Sequence, residues 1–157
     1  MKLKIAFTLL AVLNFYNAIA QLNKTGSMDN KKIVYDFAEA INEHNVDKLY
    51  GLMTDDHQFI DAQGNEVHGR DKMKAGWAGY FQWFPDYKIE ITHIFVDGDT
   101  LAVFGFAGGT FKSKTADAEN YWRLPAAWKV VVENGRIKLW QVYADTKIPF
   151  DIISKNQ

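Results

Sequence analysis

Asp61 is the residue whose type and setting best suit it for chemistry. It closes a short alternating run, Gln58-Phe59-Ile60-Asp61, which follows the acidic turn Asp55-Asp56. Alternate residues of a strand share a face, so Phe59 and Asp61 point the same way, and Phe59 marks that way as inward. A carboxylate on an inward face is either paired by the scaffold or at work, because an unpaired buried charge is costly or neutralises itself. Other chemistries are poorly served. The chain has no cysteine, its Ser and Thr residues sit in no nucleophile elbow, and no glycine-rich phosphate loop is visible. His44, His57 and His93 lack the helical spacing of a metal-binding pair and read as structural, so no metal and no other cofactor is expected. His68, just before Gly69, reads as a loop-bracing residue with pocket lining as its alternative.

The elements that must position Asp61 follow from periodicity. Ile33, Val34, Phe37, Ala38 and Ile41 recur at three and four, predicting an amphipathic helix capped by Asp29 or Asn30. Asn45 caps a second, short helix with Val46, Leu49, Tyr50 and Met53 as its buried stripe and Asp47 in the first turn. Gln63-Gly64-Asn65 is a turn. Gly69-Arg70-Asp71 begins a third helix whose aromatic face is Met73, Trp77, Tyr80, Phe81 and Phe84, and Pro85-Asp86 ends it. Beyond Tyr87 the chain reads as antiparallel strands, with turns at Asp97-Gly98 and Asn134-Gly135 and a polar loop from Lys112 to Glu119. Helices followed by hairpins give an α+β class: one strongly curved, mixed, mostly antiparallel sheet wrapped on about three N-terminal helices.

Lys2 and Lys4 precede an apolar run, Ile5 to Leu13, that ends in Ala18-Ile19-Ala20. The run is too short to span a bilayer and reads as a signal peptide cleaved after Ala20. The organisation is therefore a signal peptide over 1–20, a flexible leader over 21–30 and one domain over 31–157, in a periplasmic or secreted protein with no membrane association after cleavage. Without disulfides, such a domain is held by packing, and five Trp, seven Tyr and eleven Phe supply the apolar area. The net charge of −1 offers no footprint for nucleic acid.

In order and spacing, Asn45-Val-Asp-Lys-Leu, Asp55-Asp56, Phe59-Ile-Asp61, His68-Gly69-Arg70 and Asn134-Gly135-Arg136-Ile137 with Trp140-Gln-Val-Tyr143 resemble the nuclear transport factor 2-like superfamily. Within it the chain is similar to SnoaL-like and ketosteroid isomerase-like proteins. The resemblance implies a cone-shaped fold with a deep apolar pocket between the helices and the concave sheet. It aligns Asp61 with the acid that abstracts the substrate proton in ketosteroid isomerases. The two oxyanion donors of that family fall on Phe37 and Ala127, and losing one such donor typically costs about 3 to 4 kcal/mol, so steroid isomerisation by that mechanism is not expected.

If Ala127 faces inward as that alignment implies, alternation carries Pro125, Arg123 and Tyr121 to the same face, with Trp140, Val142 and Ala144 from the hairpin partner. Arg123 then joins Asp61 as a candidate catalytic residue, the two forming either a structural ion pair or a ligand-contacting one. Phe37, Phe59, Trp77, Tyr80, Phe104, Phe106, Tyr121 and Trp140 are the expected ligand-binding walls. Trp122, Trp128 and Tyr143 fall on the outer face, through which relatives commonly dimerise, so a homodimer is expected. The expected function is binding of a small, largely apolar molecule, with acid–base chemistry at Asp61 as the catalytic option. A non-catalytic ligand-binding or dimerisation module is the alternative.

Overall fold

A computed structural model gives the fold and describes Gly26, residues 29–113 and residues 120–156. The signal peptide, nearly all of the leader and most of the Lys112 to Glu119 loop lie outside the described residues. Helix α1 is described over residues 29–42 and buries Val34, Phe37, Ala38, Ala40 and Ile41. Asp29 and Asn30 are already helical, so neither caps it. Asn30 instead sends its amide to the carbonyl of Gly98 and the carboxylate of Asp99.

Local signals account for the next elements. Helix α2 (Val46–Leu52) is capped by Asn45, whose side chain accepts the Lys48 N–H at 2.9 Å. It runs directly into strand β1 (Met53–Ile60), which pairs with the short β2 (Glu66–His68). Helix α3 (Arg70–Trp83) starts after Gly69, whose φ of 90° only glycine adopts easily, and buries Met73, Trp77 and Phe81. Strands β3 (Lys88–Asp97), β4 (Thr100–Thr110), β5 (Tyr121–Glu133) and β6 (Arg136–Ala144) then form a meander. At the β5–β6 turn Asn134 and Gly135 have φ of 50° and 73°, the two left-handed positions that Asn-Gly hairpins require.

The sheet order is β2-β1-β6-β5-β4-β3. All neighbours are antiparallel except β1 and β6, so the sheet is mixed as expected. The free edge of β3 is masked by α1: Asn42 accepts the Ile89 N–H at 2.8 Å and donates to the Ile89 carbonyl at 2.9 Å. The tally of about three helices needs one addition. Helix α4 (Lys147–Lys155) follows β6, where strands alone were expected beyond Tyr87.

The inward parity of β5 is the reverse of the alignment-based expectation. Trp122, Ala126, Trp128, Val130 and Val132 are buried, whereas Tyr121, Arg123, Pro125 and Lys129 are exposed. A bulge is the reason. Glu133 pairs with Arg136 and Val132 with Ile137, but Val131 pairs with Leu139, leaving Lys138 as an extra residue in β6. An unbroken ladder from the Asn-Gly turn would set Trp140 opposite Lys129 and carry Arg123 inside with it. The bulge sets Trp140 opposite Val130, and a one-residue slip turns every side chain over.

Candidate functional site

Between α3 and the inner face of the sheet lies a cavity of about 420 Å³. All five tryptophans of the chain, Trp77, Trp83, Trp122, Trp128 and Trp140, contribute to its wall. They are placed by separate elements: α3 projects Trp77 from its buried stripe, β5 presents Trp122 and Trp128 on one face, six residues apart, and β6 adds Trp140. The rings brace one another. Trp128 and Trp140 lie 5.8 Å apart, and Trp77 meets Phe59 edge-on at 6.3 Å. Asp61 and Lys72 are the charged side chains on the wall. Lys72 is exposed and Asp61 half-buried, so both stay in reach of solvent.

The deep polar groups are phenols. Tyr80 and Tyr87 both line the cavity with their rings perpendicular at 4.9 Å. Burial pushes both hydroxyls up, Tyr80 well above the usual phenol range with the neighbouring Tyr87 adding to it, so both remain O–H donors at any biological pH. The indole N–H groups of Trp77 and Trp122 are buried without a hydrogen-bond partner. Tyr80 and Tyr87 are hydrogen-bonded to each other, so the pair has one O–H left to donate.

Asp61 ends β1 and braces the turn that follows. Its Oδ1 accepts the backbone N–H groups of Gln63 and Asn65 at 2.9 and 2.8 Å, and its Oδ2 accepts the Asn65 amide at 2.8 Å. Of the two options open for an inward acid, the geometry displays the scaffold role, while leaving Asp61 on the cavity wall. Arg123 does not meet it. The guanidinium stands on the outer face, 2.7 Å from the Glu90 carboxylate and 3.7 Å above the Phe106 ring. The cause is the β6 bulge, and burying Arg123 opposite a turn-bound Asp61 would leave its remaining donors unpaired.

The other expected wall residues divide by the same parity. Phe59, Trp77, Tyr80 and Trp140 line the cavity. Phe104, Phe106 and Tyr121 stand on the outer face with Arg123. Phe37 is fully buried behind the wall, 4.9 Å from Trp140, as core. Trp122 and Trp128, expected outside, are inside, while Tyr143 is outside as expected. The signal that could have placed the two indoles is the strand itself: Trp122, Leu124, Ala126, Trp128, Val130 and Val132 are an unbroken apolar set, interleaved with Arg123, Lys129 and Glu133.

The histidines are scaffold. His57 is fully buried, and its Nδ1 donates to the Ile137 carbonyl at 2.9 Å, leaving Nε2 as an unpartnered bare lone pair. Burial holds its pKa down, only partly opposed by that carbonyl and by Asp56. His68 is exposed and 2.8 Å from Glu66. His44 stacks on Phe81 and donates to the Tyr87 carbonyl, which helps to seat Tyr87. Among the described residues no group of three or more His, Cys, Asp or Glu could hold a metal ion.

A model of the SnoaL-like domain family matches residues 34–140. No curated protein matches the chain. Solved structures do. A protein of ketosteroid isomerase-like fold from Catenulispora acidiphila, in complex with trimethylamine, is 24% identical with a TM-score of 0.63, over 71% of this chain and 83% of that one. An epoxide hydrolase of M. tuberculosis is 15% identical with a TM-score of 0.69, over 83% and 92%. An NTF2-like protein of unknown function from Cytophaga hutchinsonii is 16% identical with a TM-score of 0.62, over 77% and 94%. At these identities the likeness establishes the cone-shaped NTF2-like fold.

Proposed function

Because the chain belongs to the SnoaL-like domain family, we propose that it binds one small, uncharged, largely apolar molecule in the tryptophan-walled cavity. The observation that carries this is the wall itself, with five indoles around about 420 Å³ and charge confined to Asp61 and Lys72. A charged ligand group at its depth would lose its water without a counter-charge. A carbonyl or similar acceptor oxygen would instead meet the one O–H that the Tyr80–Tyr87 pair has left to donate, so a neutral molecule with one such group fits best. The trimethylamine bound by the Catenulispora protein is a small organic molecule held by the same fold.

Acid–base chemistry at Asp61 is the second reading, favoured by its place on the cavity wall. Both of its oxygens already serve the 61–65 turn, which supports binding over turnover. We also propose export. The Lys2, Lys4 and Ala18-Ile19-Ala20 pattern leads us to expect that protein from its native host begins at Gln21, by intact mass.

The test is native mass spectrometry for copurifying molecules, joined to titration with the neutral dye N-phenyl-1-naphthylamine. Saturable dye fluorescence, competed by any copurifying molecule, is expected. Exclusion of the dye from the folded protein, with nothing copurifying, would sink the reading. Asp61→Ala should lower stability by about 1 to 3 kcal/mol through loss of the turn hydrogen bonds and leave dye affinity unchanged. Conversion of a copurifying molecule that stops in Asp61→Asn, with binding intact, would make Asp61 a catalyst instead.

A further inference from the structure

Helix α4 lies beyond the 34–140 span that the family model matches, yet Thr146, Pro149, Phe150 and Ile153 form part of the cavity wall. On the binding reading above, we propose that α4 is a cap over the cavity, which opens to admit the ligand and is held down by it afterwards. Three observations lead there.

The first is how lightly α4 is attached. Among the described residues no backbone hydrogen bond joins it to the rest of the domain. Among the described residues its side-chain hydrogen bonds to the body of the domain are two, the Gln63 amide to the Thr146 hydroxyl and the Asn156 amide to Asn120 at 3.1 Å. Its ion pair, Lys147 with Asp151, is internal. The Gln63 tie, at the N-terminal end, is exposed and exchanges readily with water, while the Asn156 tie is anchored on the buried Asn120.

The second is the Thr146 hydroxyl. Thr146 occupies the N-cap position but makes no side-chain cap hydrogen bond; its oxygen accepts from Gln63, and the Lys147 N–H goes to the Asp145 carboxylate instead. Opening releases that oxygen to the helix N-terminus, which offsets part of the lost tie. The third is an apolar arc wider than its footprint. Pro149 and Ile152 are buried, but Phe150, on the cavity wall, remains 51% exposed, as does Trp83, on the same wall, at 54%. An apolar ligand between them would cover both rings and fasten α4 through them.

The chain has no cysteine, so a Gln63→Cys/Thr146→Cys pair can be tethered alone with a bifunctional methanethiosulfonate and released by reductant. Uptake of N-phenyl-1-naphthylamine, followed by stopped flow, should slow by about tenfold or more when tethered and recover on reduction. Phe150→Ala, a change at a half-exposed side chain, should speed dye release about tenfold at unchanged melting temperature. Equal uptake in tethered and reduced protein, or unchanged release from Phe150→Ala, overturns the cap while leaving the cavity reading standing. Failure of the reduced pair and of the unaltered protein alike to bind the dye overturns both.

Discussion

The two faces of the same sheet carry aromatic side chains in comparable number but to different ends. On the inner face the indoles of Trp122, Trp128 and Trp140 are buried, and their neighbours are Val130, Val132 and Ile137. On the outer face Phe95, Phe104, Tyr121 and Tyr143 are exposed, interspersed with Arg123, Lys129 and Glu90. Register joins Phe104, Ala127 and Tyr143 in one row across three strands, a small residue between two large ones. Composition alone does not separate these faces. What separates them is that the inner rings have the helices above them, so their area is removed from water and stabilises the fold, while the outer rings contribute little to it.

The comparison is broken most readily by truncation. Trp128→Ala should destabilise by about 3 to 5 kcal/mol, and Phe104→Ala, in dilute solution, by under about 0.5 kcal/mol, both from denaturant unfolding. Comparable losses at the two sites would refute the assignment of faces.

Gly105 sharpens the inner side. A Cβ there would fall 1.8 Å from the Glu90 carbonyl oxygen, beside the β3 bulge between Ile91 and His93. Gly105→Ala should therefore cost about 1 to 3 kcal/mol, although alanine is small and the face apolar. Tolerance of alanine would mean that β3 and β4 are not pressed together as described.

A smaller effect is expected from His57. Its folded pKa is held below the usual histidine value of 6.5 by burial, so the unfolded chain binds the proton more readily. The contribution is fully present above about pH 6.5 and is lost as pH falls below it toward the folded pKa. Melting temperature followed downward from pH 7 should decline through that window, and His57→Gln should flatten this part of the profile. An unchanged slope in the variant would place the titration elsewhere.

The outer face should matter least to folding and most to assembly. We propose that a second copy covers the Phe104-Ala127-Tyr143 row, where the large-small-large relief suits a two-fold partner. Light scattering should then give twice the monomer mass, and Phe104→Glu should halve it at little change in monomer stability. The proposal replaces the earlier basis for a dimer, since Trp122 and Trp128 are interior.

Element identity was legible because its signals are local. Asn45 as a cap, Pro85 as a stop and Asn134-Gly135 as a hairpin act within a few residues of themselves, and the 3.6-residue stripe of Met73, Trp77, Tyr80, Phe81 and Phe84 needs only α3. Asp61, Phe59, Trp77 and Tyr80 were reachable in the same way, from strand alternation and the helix stripe, whereas Trp140 was reached through the resemblance. Two features were not. Although apolar alternation marks the inner face of β5, its register on β6 depends on whether one residue of β6 is counted in the ladder, and the extra residue, Lys138, carries no local mark of being skipped. Its side chain settles near Glu133 and on Asp56 of β1, the second a contact made only when β1 lies alongside β6. Helix α4 is the other case: Lys147-Ile-Pro-Phe-Asp-Ile-Ile-Ser-Lys is a short segment, marginal as an isolated helix, that becomes one where Pro149 and Ile152 find the cavity margin to bury against. The sequence by itself determined the α+β class, most of its helices and hairpins, and an inward face shared by Phe59 and Asp61, while the cone and its pocket were implied by the family resemblance. Which tryptophans enter that pocket, that Arg123 stays out of it, and what closes it were decided by pairings between distant strands, because a bulge and a docked helix have meaning only once their partners are in place.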